Sequence, residues 1–168
     1  EKDLITNHEA VEGEFTLFHW VRMLASPISP IVTYNSLQHS LVTSAGATLI
    51  AMVLGCLMAW FVVRTDMPGR KLINVLAIVP YMMPSWTIAM AWTVLFKNRT
   101  IGGAPGLLEF LLGKGPPDWF SFGPFPIMVS SGLHYYTFFF LFVSTALMSI
   151  DSNLEEAGEI MGASRRRI

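Results

Sequence analysis

The residues whose types and spacing are most specific lie near the end of the chain, in Asp151-Ser152-Asn153-Leu154-Glu155-Glu156-Ala157-Gly158-Glu159-Ile160-Met161-Gly162-Ala163-Ser164-Arg165-Arg166-Arg167-Ile168. Ser152 followed three residues later by Glu155 has the spacing of a capping box, in which the two side chains satisfy free N–H groups at the start of a helix. Gly162 suits the position just past that helix's end. The spacing predicts a helix over about 153–161, too short to persist alone in water. Leu154, Ala157, Gly158 and Met161 fall at i, i+3, i+4 and i+7, so its apolar side has a small centre that another backbone or a groove wall can approach. Glu155, Glu156 and Glu159 make the other side acidic, and Ser164 can cap a second turn through Arg165, Arg166 and Arg167. The chemistry on offer is docking: a bent, two-helix elbow that needs a partner.

Other reactive side chains point to no catalysis. Long apolar blocks hold His134, Tyr135, Tyr81, Met82, Met83 and Cys56, but no carboxylate to act as an acid or base beside them. His134 reads first as a neutral imidazole bonded to a neighbouring helix, with a functional role as the alternative. The methionines read as packing rather than metal ligands, and the single cysteine as apolar filler, with no CxxC pair. The chain has no GxxxxGK[ST] phosphate loop. No catalytic residue, metal site or bound cofactor is expected.

The elements that must position the elbow are membrane helices. Of 168 residues 52% are hydrophobic and 14% charged, against roughly 25% charged in an average soluble domain. The apolar residues gather into three blocks that meet the ~20 residues needed to cross a bilayer core of ~30 Å. The first expected span covers about 40–63, with Ala47, Ala51 and Gly55 at four-residue spacing for close helix approach. A tight cationic loop follows at 64–71, with Pro68-Gly69 as its turn. The second span, 72–96, carries Pro80 and Pro84, each lacking a backbone donor, so a kink is expected there. Irregular backbone inside a bilayer survives where it is buried in protein or lines a cavity. Pro80, Tyr81, Met83, Pro84 and Trp86, together with His134 of the third block, are the candidates for lining a pathway. The third span covers about 126–150.

Residues 97–125 are rich in Gly and Pro and read as a long outer loop whose run GLLEFLLG forms one short surface helix. Residues 1–39 form an extracytoplasmic segment, in which FTLFHWVRML is an amphipathic helix at the interface or packed on a span. Three spans place the chain's ends on opposite faces, and the clusters Arg64, Arg70, Lys71 and Arg165–Arg167 share one side. The positive-inside rule makes that side cytoplasmic and the N-terminal segment external, although Lys97, Arg99 and Lys114 lie in the outer loop. A net charge of −1 and the absence of a basic stripe argue against nucleic acid as a partner. The acidic start has no basic region leading into an apolar core, and the end falls just past the third block, so a fragment is expected.

The elbow's sequence resembles the EAA loop of ABC importer permeases, whose pattern is Glu-Ala-Ala, three residues, Gly. Glu156, Ala157 and Gly158 occupy the first three positions, Gly162 matches the glycine, and Gly158 departs from the second alanine. FTLFHWVRML, Asn35-Ser36-Leu37, VRTDMPGRK and LHYYTFFFLFVSTALMSIDSNLEEA are similar to iron(III)-type permeases of this superfamily. The resemblance implies an all-α integral membrane fold: three transmembrane helices of a type I, MetI-like permease core plus a cytoplasmic coupling helix. It implies residence in a bacterial or archaeal cytoplasmic membrane as a multi-pass chain. It implies as partners a cytosolic ABC ATPase dimer docked on Glu155, Glu156, Ala157, Gly158, Gly162, Ala163 and Ser164, an external substrate-binding protein, and a second permease half. That half would be in the same chain, an identical copy or a paralogue. Iron(III) is the expected substrate, with thiamine, a polyamine or a phosphonate as alternatives; a membrane anchor or assembly subunit and a membrane-embedded enzyme are the rival classes.

Overall fold

A computed structural model describes residues 17–150 together with 160 and 161, and every described element is helical. The chain divides into two compact units between Ser44 and Ala45.

In the first unit α1 (Phe18–Ala25) ends two residues before Pro27, as proline's restriction on the residue before it favours. A π-helical turn, Pro30–Tyr34, follows and leads into α2 (Asn35–Arg64). The last carbonyls of a helix have no partner of their own. Here the turn supplies them: Ser29 donates to the Arg22 carbonyl at 3.4 Å, Thr33 to Met23 at 2.8 Å and the Tyr34 hydroxyl to Leu24 at 2.9 Å. Leu17, Trp20, Met23 and Leu24 remain exposed, an apolar surface suited to lipid or another span.

The second unit is organised by small residues. In lipid there is no hydrophobic drive between helices, so association depends on close packing. Ala47, Ala51, Gly55 and Ala59 form one buried row on α2, one residue longer than the three expected from spacing. That row meets α8 (Pro124–Met148), where a Cβ built on Gly55 would lie 2.5 Å from Phe139 Cβ and one on Gly132 2.6 Å from Ile50 Cγ2. Ala59, Val62, Ala77 and Phe140 form the buried core, with Met58, Ile73 and Leu147 packed on it. Outward-facing Leu49, Leu57, Phe61, Met90, Val94 and Phe142 stay exposed, as lipid- or helix-facing residues of a membrane protein would.

The second expected span departs furthest from expectation. Instead of one kinked helix over 72–96 there are three: α3 (Arg70–Leu76), entered through Gly69 at φ +81°, then α4 (Val79–Met82) and α5 (Ser85–Phe96). The bend between the α3–α4 arm and α5 is 94°. Among the described residues two helical stretches, Pro30–Arg64 and Asp118–Met148, are long and apolar enough to cross a membrane. The bent pair makes a third if it is one broken span rather than a re-entrant loop.

Between α5 and α8 the loop is a folded cap. A 3-10 turn (Arg99–Ile101), α6 (Leu107–Leu112) and α7 (Asp118–Ser121) replace the single short helix expected. The apolar run GLLEFLLG hid its organising residue: Glu109 is buried, its Oε1 accepting from Arg99 Nε at 2.7 Å and its Oε2 from the Arg99 backbone N–H at 3.1 Å. Asn98, also buried, donates to the Pro116 carbonyl at 3.1 Å and to Asp118 Oδ1 at 2.6 Å. Beneath the cap Trp92 donates from Nε1 to the Phe120 carbonyl at 3.1 Å and packs with Phe96, Phe120 and Phe125. Arg99 is largely exposed, so its pair with Glu109 is discounted for solvent. Glu109→Gln is expected to destabilise the cap by about 1 kcal/mol. Hydrogen exchange at the Arg99 amide would then run about fivefold faster, with α8 amides unchanged.

Candidate functional site

The site is the break in the second span and the stretch of α8 that crosses it. Pro80 has no N–H to give the Leu76 carbonyl, and Pro84 none to give the Pro80 carbonyl. The Tyr81 N–H turns instead to Ile78, at 3.1 Å, which also releases the carbonyl of Ala77. Unpaired carbonyls in a bilayer cost several kcal/mol each, so they must be met from elsewhere. α8 meets two of them: His134 donates from Nδ1 to the Pro80 carbonyl at 3.1 Å, and Thr137 donates from Oγ1 to the Ala77 carbonyl at 2.9 Å. His134 and Thr137 are three residues apart on one face of α8, and Ala77 and Pro80 are likewise three apart. The order is reversed, so the two elements run antiparallel at the crossing. Both donors are buried, His134 at 8% and Thr137 at 1% exposure.

The candidates from the sequence separate into two groups. Pro80, Tyr81 and His134 come together, with the Tyr81 ring 6.0 Å from His134 and edge-on to Phe138 at 4.8 Å. The His134 imidazole is bonded to a neighbouring helical element through the Pro80 carbonyl. Pro80 and Met83 line an open apolar groove of about 400 Å³ with Met58, Ile88 and Leu133. Trp86 stands apart from these. It borders an open, mainly apolar groove of about 570 Å³ between α5 and α8, whose lining includes Ser85, Thr93, Ser130 and Tyr135. His134 lines neither space. Pro84 is the cap residue of α5, in extended backbone with ψ 136°.

Thr137 escaped sequence reasoning because a threonine in an apolar helix usually bonds its own preceding turn, as Thr145 does to Leu141 at 2.8 Å. The signal was present in its spacing from His134, opposite a span that two prolines leave short of donors. Of the elbow, only Ile160 and Met161 are described, both exposed. Glu155, Glu156, Ala157, Gly158, Gly162, Ala163 and Ser164 lie outside the described residues.

Residues 51–168 match the family described as the binding-protein-dependent transport system inner membrane component. A molybdate/tungstate transport system permease protein of Thermococcus kodakarensis is 24% identical over 147 residues, which is 88% of this chain and 51% of that protein. A probable sulfate transport system permease protein of Marchantia polymorpha is 23% identical over 145 residues, 86% of this chain and 48% of that one. A maltose/maltodextrin transport system permease protein of Escherichia coli is 31% identical over 128 residues, 74% of this chain and 24% of its own length. The chain thus spans about half the length of the first two relatives, or less of the third. These relatives are transport permease subunits, the class expected from the sequence, rather than enzymes. The family match takes in the broken span, the helix that clamps it and the segment with the Glu-Ala-Gly pattern, and the chain belongs to the family of inner membrane components of binding-protein-dependent transport systems.

Proposed function

We propose that the chain is part of a permease subunit of an ATP-driven ABC importer, and that its groove between α5 and α8 borders the substrate pathway. The family match over residues 51–168 carries this reading. In it the segment at 151–168 lies in the cytoplasm and docks a cytosolic ATPase dimer through Glu155, Glu156, Ala157, Gly158, Gly162, Ala163 and Ser164. An external substrate-binding protein delivers the solute, a second permease half completes the pathway, and nucleotide chemistry belongs to the ATPase. The chain itself carries no cofactor.

The bent pair is taken as one crossing. At ~1.5 Å per residue its arms are about 20 Å and about 18 Å long, so at nearly a right angle their far ends lie ~27 Å apart, close to the ~30 Å bilayer core. That gives three crossings, an external N-terminal segment and a cytoplasmic elbow.

For the substrate, the relatives' names lend no support to iron(III); two of the three name oxyanions. The groove's lining is mainly apolar and aromatic and includes no carboxylate, which weighs against a bare cation as the solute. A small tetrahedral oxyanion is the reading carried forward. The full-length permease, reconstituted in liposomes with its ATPase and binding protein, should take up labelled molybdate or sulfate when ATP is supplied. Uptake of iron(III) or maltose in place of either would overturn the substrate assignment. No ATP-dependent uptake of any of them would count against the importer reading itself.

A further inference from the structure

We infer that Thr137 and His134 are positioning residues that hold the α3–α4 arm on α8 and thereby set the angle of the broken span. Two observations carry this. The first is the matched pair of bonds from one face of α8 to the Ala77 and Pro80 carbonyls. The second is what lies next to them: Met83 and Pro84 are both in extended backbone, ψ 143° and 136°, so no helical hydrogen bond stiffens the link between α4 and α5.

Without outside bonds the link would have freedom to change its angle. The open apolar groove of about 400 Å³ beside Pro80 and Met83 leaves that side of the link without close protein packing. On the other side of the link α5 is fixed independently, through the Trp92 bond to Phe120 and the aromatic cluster under the cap. The clamp therefore decides where the α3–α4 arm sits relative to α5, and with it the mouth of the groove that Ser85 and Trp86 border just past the link. α8 also leads directly into the segment at 151–168. A displacement of that segment would reach the break through the same two bonds, an arm of the inference that rests on the importer reading.

The test uses the full-length permease with its ATPase in lipid nanodiscs, spin-labelled at Leu72 and Val94, which are exposed on α3 and α5. Wild type should give one dominant, narrow distance with a small second component in the absence of nucleotide. Thr137→Val keeps the side chain's shape and loses the donor, and should raise the share of a second distance about fivefold, as expected when one bond of ordinary strength is lost. His134→Leu should do the same. Thr137→Ser and His134→Asn, which restore a donor, should return the wild-type distribution. Pro84→Ala supplies a new N–H for the Pro80 carbonyl and should lengthen the Leu72–Val94 distance. A wild-type distribution in either folded variant, Thr137→Val or His134→Leu, would overturn the inference. Failure of both to fold, or of both donor-restoring variants to rescue, would show a packing role instead and overturn it equally. The nucleotide-free distances need no transport, so a wild-type protein that ignores ATP would fail the importer reading while leaving the clamp to be judged separately.

Discussion

Gly55→Leu is expected to destabilise the permease strongly, so that it aggregates well below the temperature the wild type withstands. A Cβ at this position would sit 2.5 Å from Phe139 Cβ, 2.6 Å from the Tyr136 carbonyl oxygen and 2.8 Å from the Phe140 amide nitrogen. Two of those three atoms are backbone of α8, so the strain cannot be relieved by turning a side chain. Overpacking typically costs about 1–3 kcal/mol, and a leucine driven into a helix backbone belongs at or above the top of that range. Against a net stability of about 5–15 kcal/mol that is a large fraction, and it falls where the α2 row packs directly on the α8 backbone. The measurement is size-exclusion chromatography of the detergent-solubilised protein after a heating series. Wild type should elute as a single species well above the temperature at which Gly55→Leu is already aggregated. Gly46→Ala is the matched control, because its new Cβ meets only the flexible end of Met128, at 2.6 Å from Sδ, and should cost no more than about 1 kcal/mol.

The row on α2 was legible because helices in lipid associate through close backbone approach. With no hydrophobic drive between them, small residues every fourth position have one common use, and Ala47, Ala51 and Gly55 could be read as a contact face. The break was half legible. Two prolines tell which carbonyls lose their donors, Leu76 and Pro80, but not how far the chain then turns. The 94° bend depends on bonds from His134 and Thr137, 54 and 60 residues further on, which no local pattern encodes. The cap was the least legible part. Glu109 sits in a run of leucines and a phenylalanine, where a lone carboxylate reads as the wet edge of a surface helix. It is buried because Arg99, ten residues earlier, brings both a guanidinium and a backbone N–H to it. Gly115 helps for a reason equally invisible in sequence: a Cβ there would lie 2.8 Å from Glu109 Oε2.

The elbow reverses that order, since its meaning comes from sequence and kinship. The predicted helix over 153–161 is too short to stand alone, presents a small apolar centre at Ala157 and Gly158, and carries Glu156 at the position where the importer pattern has its glutamate. Under the proposed function Glu156→Lys reverses a charge on the face that docks the ATPase, outside the spans. Like-charge or unpaired-charge contacts at an interface cost several kcal/mol, and a loss of even ~2.8 kcal/mol weakens association about a hundredfold. Spans, clamp and cap should be unaffected, so the variant should match wild type in thermal stability while losing its partner.

In the proposed function this chain couples a membrane pathway to a separate ATPase, and retention of that ATPase measures the coupling most directly. The detergent-solubilised full-length permease, captured by an affinity tag, should hold the ATPase at a fixed ratio in the wild type. It should hold almost none in Glu156→Lys, at equal permease yield. A wild-type permease that retains no ATPase, or a Glu156→Lys variant that retains it at the wild-type ratio, would contradict the account.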